Sequence, residues 1–171
     1  MKTARILSLV VGTALVFVAA LASAQAPAPP AAPAPPPAYG PPITLEQAKK
    51  VMAGAEAEAK KNKWDMVIII LDSGGHGVMM SRMDGAQFGS IRVARDKAYS
   101  AVAFRRPTKV FQDLLAQGGA NLRLLDLHGA SMLEGGIPII VGGKLIGAIG
   151  ASGGTSPQDA QVAQAGIDTL K

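Results

Sequence analysis

The sequence predicts an α+β domain in which an antiparallel sheet of about five strands is layered with helices. Three observations support this fold class. Apolar residues recur at helical spacing in several segments, apolar runs rich in β-branched residues lie between them, and two pairs of these runs are each joined by a glycine-containing turn. Because both pairs are expected to form hairpins, a doubly wound parallel sheet is excluded.

The first 24 residues have the features of a cleavable signal peptide. Lys2 and Arg5 form a positive amino-terminal region, residues 6–21 form an apolar run, and small residues precede a cleavage site at Gln25. The alternative is a retained transmembrane anchor, but the run is short for a spanning helix and no basic stop-transfer cluster follows it. We therefore expect a periplasmic or secreted protein with no membrane span after signal cleavage.

Residues 25–42 consist almost entirely of Ala and Pro, a composition that favours an extended polyproline II linker. Residues 43–171 are long enough for one domain with its own core. The chain has no cysteine, which excludes disulfides and thiolate metal sites. Lys2 and Arg5 contribute two charges to the net charge of +5, and the other basic residues are scattered, so we expect no nucleic-acid partner.

The first half of the domain is expected to contain a helix, a strand hairpin and a second helix. Thr44 and Gln47 form a capping box, and the apolar residues after it recur at helical spacing. A continuous apolar run follows, which is typical of a central strand covered on both faces. The expected elements are helices over residues 44–63 and 86–104 and strands over residues 66–71 and 78–83.

The second half is expected to contain a short helix, a second hairpin and a terminal helix. Thr108 can cap the short helix, Gly142-Gly143 fits a two-residue hairpin turn, and Ser156 and Asp159 mark the start of the last helix. The expected elements are a helix over residues 108–115, strands over residues 137–141 and 144–151, and a helix from residue 156. The ambiguous segment 117–133 is the candidate for a fifth short strand. The resulting order, α-β-β-α-α-β-β-α, is profilin-like.

Two segments near the first hairpin carry candidate binding residues. His76 lies among three glycines, where the backbone can approach a ligand closely and the imidazole is expected to be exposed. The alternative is a hairpin loop whose histidine has no role. Arg82 precedes a helix that carries Arg92, Arg95 and Lys97, and such a set can bind a carboxylate or another anion. The alternative there is a solvated helix face.

A third candidate segment contains His128 and Glu134. Together with His76, these residues can form a metal site of the two-histidine, one-carboxylate kind, although no short ligand spacing supports it. No Gly-x-Ser-x-Gly motif occurs, which argues against a serine nucleophile. No phosphate-loop motif follows the glycines of the first hairpin either. The residues alone therefore leave the chemistry of the domain open.

Several motifs, taken in order, resemble those of the GlcG/HbpS haem-binding family, whose domain also forms the C-terminal part of PduO-type proteins. The motifs lie at residues 69–76, 82–86, 94–98, 106–108, 135–139, 147–150 and 159–163. The resemblance spans essentially all of residues 43–171. It implies a five-stranded antiparallel sheet between helices, assembly into homo-oligomers that are often octamers, and binding of haem, a related tetrapyrrole or a metal ion.

The resemblance also implies site residues. His76 falls on the motif histidine that looks like a haem ligand in some members, and it is the residue we assign to a metal ion. Arg82, Asp84, Lys97 and Glu134 fall on motif positions that line the same pocket. Arg82 and Lys97 would neutralise the haem propionates. The segment around His128 departs from a plain connector, and no family role corresponds to that histidine.

Three functions are consistent with these features. The first is an exported protein that binds haem or another tetrapyrrole and acts in haem handling or redox sensing. The second is an enzyme for a small anionic molecule, in which His76 or Glu134 transfers a proton in a pocket at a subunit interface. The third is an oligomeric interaction module. The motif resemblance and the signal peptide favour the first function.

Overall fold

The computed structural model describes residues 35–171; the predicted signal peptide and most of the Pro/Ala-rich linker lie outside them. The helices are α1 (Leu45–Asn62), α2 (Gly89–Phe104), α3 (Lys109–Ala116) and α4 (Ser156–Asp168), with a 3₁₀-helix over Gly119–Asp126. The strands are β1 (Ala38–Tyr39), β2 (Val67–Asp72), β3 (Gly77–Arg82), β4 (Gly136–Val141) and β5 (Lys144–Ser152). The predicted α+β class and element order are confirmed. No helix within residues 35–171 is long and apolar enough to cross a bilayer.

Strand β5 is the centre of the sheet. It pairs antiparallel with β2 along one edge and with β4 along the other, and β2 pairs antiparallel with β3. Strand β1 adds a short parallel pairing to the first residues of β5, so the sheet is mixed rather than wholly antiparallel. Strands β3 and β4 form the two edges, which agrees with the presence of Pro138 in β4, since proline is tolerated on edge strands.

The fifth strand is not in residues 117–133, so this part of the prediction was wrong. The segment instead forms the 3₁₀-helix, and Gly118 and Gly129 have φ angles of 66° and 80°, which interrupt any extended pairing. The fifth strand is β1, at the end of the Pro/Ala-rich segment. Tyr39 holds β1 against the domain, because its hydroxyl donates to the carbonyl oxygen of Val102 at 2.9 Å.

Both faces of β2 are buried, as expected for a central strand. Ile68 and Ile70 face a core shared with α1 and α4. Ile69 and Leu71 face a second core shared with α2. Helix α2 approaches the sheet closely, since a Cβ atom on Gly150 would overlap the α2 backbone. The helix packs mainly on β5, β2 and β4, which leaves the side of β3 beside it open.

The two long terminal helices begin at capping boxes. Thr44 and Gln47 cap α1 as predicted, with each side chain bonded to the other residue's amide. Helix α4 is capped one residue earlier than expected, because Thr155 rather than Ser156 is its N-cap residue. With that cap in place, Gln158 rather than Asp159 completes the capping box. The Asp159 side chain is buried in the domain instead.

Candidate functional site

The turn between β2 and β3 holds His76 in a defined orientation. Asp72 Oδ1 accepts hydrogen bonds from the amides of Gly74 (2.8 Å) and His76 (2.9 Å), and it lies 3.3 Å from His76 Nδ1. The imidazole packs over Gly74, where a Cβ atom would lie only 2.9 Å from Nδ1. Nδ1 thus lies beside the carboxylate, and because the His76 side chain is 83% exposed, Nε2 is left open to a ligand.

The charge of Asp72 supports this orientation. Burial raises the pKa of Asp72, but the amide hydrogen bonds from His76 and Gly74, together with the nearby imidazole, outweigh it and hold the pKa below the usual 3.8. The carboxylate is therefore ionised at neutral pH and can accept a hydrogen bond from Nδ1 of His76. A histidine whose Nδ1 is held in this way has its Nε2 lone pair free to bind a metal.

A groove between β3 and α2 begins next to His76. It has a volume of about 380 Å³ and a largely apolar floor. Its lining residues are Ile69, Leu71, Gly77, Val78, Met79, Met80 and Arg95. Met80 is 56% exposed, because β3 is an edge strand and α2 does not cover it. Open apolar surface beside an oriented imidazole suits a flat apolar ligand.

Helix α2 contributes Arg95 and Tyr99 to this region. Ile91, Arg95 and Tyr99 are four residues apart, so they share one face of the helix. Arg95 lines the groove, and Tyr99 contacts the hairpin turn at Gly75. From the sequence, Arg95 was predicted only as part of a basic helix, and Tyr99 was not among the candidate residues. The four-residue spacing from Ile91 is the signal that could have identified both.

Lys97 does not line the groove. It is 1% exposed, and its Nζ donates to Asp159 Oδ2 at 2.6 Å and to the carbonyl oxygen of Ala151 at 3.2 Å. Its position on α2 explains this placement, because Ala94 and Ala98 are buried on the same face of the helix. The ammonium group is therefore part of the core and is not available to neutralise an external anion.

Arg82 and Asp84 lie at the far end of β3 from His76. Arg82 is the sixth residue after His76 along β3, which places it roughly 20 Å away. Both residues line a separate polar cleft of about 490 Å³ beside the end of α1. There Ser81 Oγ donates a hydrogen bond to Glu56 Oε1 at 2.5 Å. This hydrogen bond lowers the pKa of Glu56, and although burial acts in the opposite direction, the nearby Lys60 lowers the pKa further.

Glu134 occupies a third position, in a cleft of about 340 Å³ between α3, β4 and α4. Its amide donates to Gln112 Oε1 at 2.9 Å. His128 is exposed in the loop after the 3₁₀-helix. Within residues 35–171, no three histidine or carboxylate side chains are grouped to hold a metal ion, so the predicted site of His76, His128 and Glu134 is not supported. Within a single chain, His76, Arg82 and Glu134 therefore do not lie in one pocket.

Comparison with known proteins agrees with the motif resemblance. The sequence model of a family described as haem-degrading, HbpS-like protein matches residues 43–168. The chain is 37% identical to protein GlcG of Escherichia coli K12 over 110 residues, which cover 64% of this chain and 81% of GlcG. Its fold is similar to the crystal structure of HbpS, with a TM-score of 0.70 and 32% identity over 77% of this chain and 92% of HbpS.

A further similar structure is a crystal structure of a PduOC–haem complex. Its TM-score is 0.68 and its sequence identity is 28%, over 75% of this chain and 94% of PduOC. The family match includes the β2–β3 hairpin, the whole of α2 and the segment that carries Glu134. The chain therefore belongs to the HbpS-like family, as its motifs predicted.

Proposed function

We propose that this protein binds haem at the groove between β3 and α2, with Nε2 of His76 as an axial ligand of the iron. The observation that carries this proposal is the contact between Asp72 and His76, which orients Nδ1 inward and leaves Nε2 free. Carboxylate-oriented histidines of this kind are common metal ligands. The haem complex of PduOC, a structural neighbour, adds support because it has the same fold.

The residues around His76 suit the rest of a haem molecule. The apolar floor of the groove, including Met80 and Ile69, can cover part of the macrocycle. Arg95 lies at the groove and can pair with a propionate, in place of the buried Lys97 and the distant Arg82. The bound iron would supply the redox and ligand-binding chemistry. The protein would supply the oriented imidazole, the apolar surface and the cation.

The proposal is tested by titrating the purified protein with hemin and following the Soret band. His76→Ala is expected to abolish the saturable band, and Arg95→Ala to weaken binding several-fold. Arg82→Ala is the matched control, because it removes the same charge at the other end of β3. A band that is indifferent to His76, or one that depends on Arg82 rather than Arg95, would contradict the proposed site.

We also propose that the protein works outside the cytoplasm, in haem handling or redox sensing. The support is the signal-peptide pattern of residues 1–24, which lie outside the described residues. Determining the amino-terminal sequence of the protein after expression with its leader tests this part. A mature chain beginning at Gln25 is expected. A chain that keeps residues 1–24, or that stays in the cytoplasm, would contradict it.

Haem degradation is a second candidate, favoured by the description of the family. The open groove is consistent with it, because much of a bound macrocycle would remain accessible to dioxygen. The test is to add an external reductant to the aerobic hemin complex and to follow the loss of the Soret band. Bleaching that is faster than for free hemin and that needs His76 supports degradation. A complex that only changes its iron redox state supports binding alone.

We further propose that the protein is a homo-oligomer. Several large apolar side chains are exposed in the described chain, namely Phe88, Leu122, Leu125, Leu133 and Ile140. Exposed apolar residues of this size are typical of surfaces that associate. Size-exclusion chromatography with light scattering, with and without hemin, tests this proposal. A strictly monomeric protein would contradict it and would also remove the interaction-module function.

A further inference from the structure

The polar cleft of about 490 Å³ beside the end of α1 has no part in the proposed haem site, because it lies at the other end of β3 from His76. Three parts of the chain form it: the last turns of α1, the connection from α1 to β2, and the end of β3 with the turn that follows. Its charged lining residues are Lys60, Lys63 and Arg82, together with Glu56, Asp65 and Asp84. Trp64 also lines the cleft, so both signs of charge surround one aromatic side chain.

Two of these six charges are paired with each other. Lys60 Nζ lies 3.3 Å from Glu56 Oε2, and the Ser81 hydroxyl donates to the same carboxylate group. The four other charged side chains of the cleft take part in none of the ion pairs found within residues 35–171, and they are Lys63, Asp65, Arg82 and Asp84. Two cations and two carboxylates are therefore left to interact with a ligand.

The turn after β3 brings the two unpaired carboxylates to the same part of the cleft. The amide of Ala86 donates to the carbonyl oxygen of Met83 at 2.9 Å, which closes a tight turn with Asp84 and Gly85 at its two central positions. The carboxylate of Asp65 lies directly against Gly85, where a Cβ atom would overlap with it. Asp65 and Asp84 therefore flank one turn, and glycine between them leaves room for the Asp65 carboxylate.

Exposed charges are usually only solvated, but the connection from α1 to β2 has two features that favour a binding site here. Lys63 ends α1 in the left-handed conformation, with a φ angle of 58°, at a position where glycine is usual. Residues held in such rarely populated conformations are common at ligand sites. The next residue, Trp64, is half-buried and packs on the hydrophobic core, so the indole is a firmly held apolar surface at the edge of the cleft.

The mixture of charges determines which class of ligand fits. An anion that pairs with Arg82 also meets Asp65 and Asp84, and a cation that pairs with these carboxylates also meets Arg82, so a ligand with one sign of charge is repelled in part. A zwitterion satisfies both sets of charges. The guanidinium of Arg82 matches a carboxylate through two parallel hydrogen bonds. The carboxylates of the turn suit an ammonium group, and Trp64 suits an apolar substituent.

We infer that this cleft binds a small zwitterion, namely an α-amino acid with an apolar side chain. Arg82 and Lys63 hold its carboxylate, and the two carboxylates beside Gly85 hold its ammonium group. Trp64 covers its side chain. The inference goes beyond the proposed function and does not require haem, since the cleft and the haem groove lie at opposite ends of β3.

Trp64 is the only tryptophan of the chain, so its fluorescence reports on this cleft alone. The test titrates the purified, haem-free protein with L-phenylalanine and with L-leucine, and it follows tryptophan emission together with the heat of binding by calorimetry. A saturable response is expected for at least one of them. Its methyl ester lacks the carboxylate and its N-acetyl derivative lacks the ammonium group, so each should bind at least about tenfold more weakly.

Substitutions in the cleft should have the same effect from the side of the protein. Arg82→Ala and Asp84→Asn are each expected to weaken binding of the amino acid by about tenfold or more. Arg123→Ala and Asp126→Asn are the matched controls, because they remove the same charges from the exposed 3₁₀-helix, and they should bind as the wild type does.

The outcomes separate this inference from the proposed function. An N-acetyl derivative that binds as tightly as the free amino acid would overturn the zwitterion site, because it would show recognition of an anion only. Neither fluorescence change nor heat with either amino acid would overturn it as well. Binding that is indifferent to Arg82 and Asp84 would show that the ligand lies elsewhere. None of these results changes the hemin titration, which tests the haem site through His76.

Discussion

Lys97 Nζ lies 2.6 Å from Asp159 Oδ2 in the interior of the domain, with the two side chains 2% and 4% exposed. This ion pair joins α2 to α4 across the end of the sheet. Burial raises the pKa of the Asp159 carboxyl, and hydrogen bonds from Lys97 Nζ and from the amide of Gly154 offset part of that rise. Gly135 makes room for the pair, since a Cβ atom there would lie 2.9 Å from Lys97 Nζ.

Lys97→Met is expected to lower the free energy of unfolding by about 3–5 kcal/mol, because it leaves Asp159 buried without its partner. Urea denaturation measures the change. The double variant Lys97→Met/Asp159→Leu should recover part of the loss, since it removes both charges. Lys109→Met is the matched control, because Lys109 pairs with Asp113 at the surface, and it should have no measurable effect. Equal effects of the two single variants would refute a structural role for the buried pair.

Two buried serines of α2 are expected to respond oppositely to alanine. Both are fully buried, but within residues 35–171 Ser100 Oγ has no hydrogen-bond partner, whereas Ser90 Oγ accepts from Ser152 Oγ and from Gln87 Nε2 at 3.2 Å. Ser100→Ala should raise the unfolding free energy by about 1 kcal/mol, because it removes an unsatisfied hydroxyl. Ser90→Ala should lower it by a similar amount. Urea denaturation of both variants measures these changes. A larger destabilisation by Ser100→Ala than by Ser90→Ala would contradict the prediction.

The end of the Pro/Ala-rich segment is expected to stabilise the domain. The Tyr39 hydroxyl donates to Val102 O, and the guanidinium of Arg105 lies 5.4 Å from the Tyr39 ring centroid. A chain that begins at Ile43 should therefore be about 1–2 kcal/mol less stable than one that begins at Pro35. Tyr39→Phe in the longer chain should be intermediate, since it keeps the ring and loses the hydroxyl. Identical thermal and urea unfolding of all three would show that β1 contributes nothing.

The hairpin turn is expected to make the stability of the apoprotein depend on pH in the acid range. The pKa of Asp72 is lower in the folded state than its usual 3.8, because amide hydrogen bonds favour the carboxylate. Its stabilising contribution is therefore present above about pH 3.8 and is lost as the pH falls through the lower, folded-state value. The stability difference between wild type and Asp72→Asn, measured by urea denaturation from pH 2 to 6, should shrink at the acid end. A difference that stays constant would refute this.

Local patterns in the sequence were sufficient for most of the fold. The capping box of Thr44 and Gln47, the continuous apolar run of β2 and the Gly142-Gly143 turn depend on neighbouring residues, and each was predicted correctly. Lys97 could also have been located, because it shares the buried stripe of Ala94, Ala98 and Ala101 on α2. Its charge, rather than its spacing, led to its interpretation as a surface anion ligand.

The sequence by itself thus determined the secondary-structure elements, their order and the family, because these depend on short-range patterns and ordered motifs. Only the tertiary structure decided which residues meet. It paired Lys97 with Asp159, separated His76 from Arg82 by the length of β3, and added β1 to a sheet from a segment with no strand pattern. These contacts depend on how α2 and the loops pack on the sheet, which involves residues too distant in the chain for any local pattern to encode.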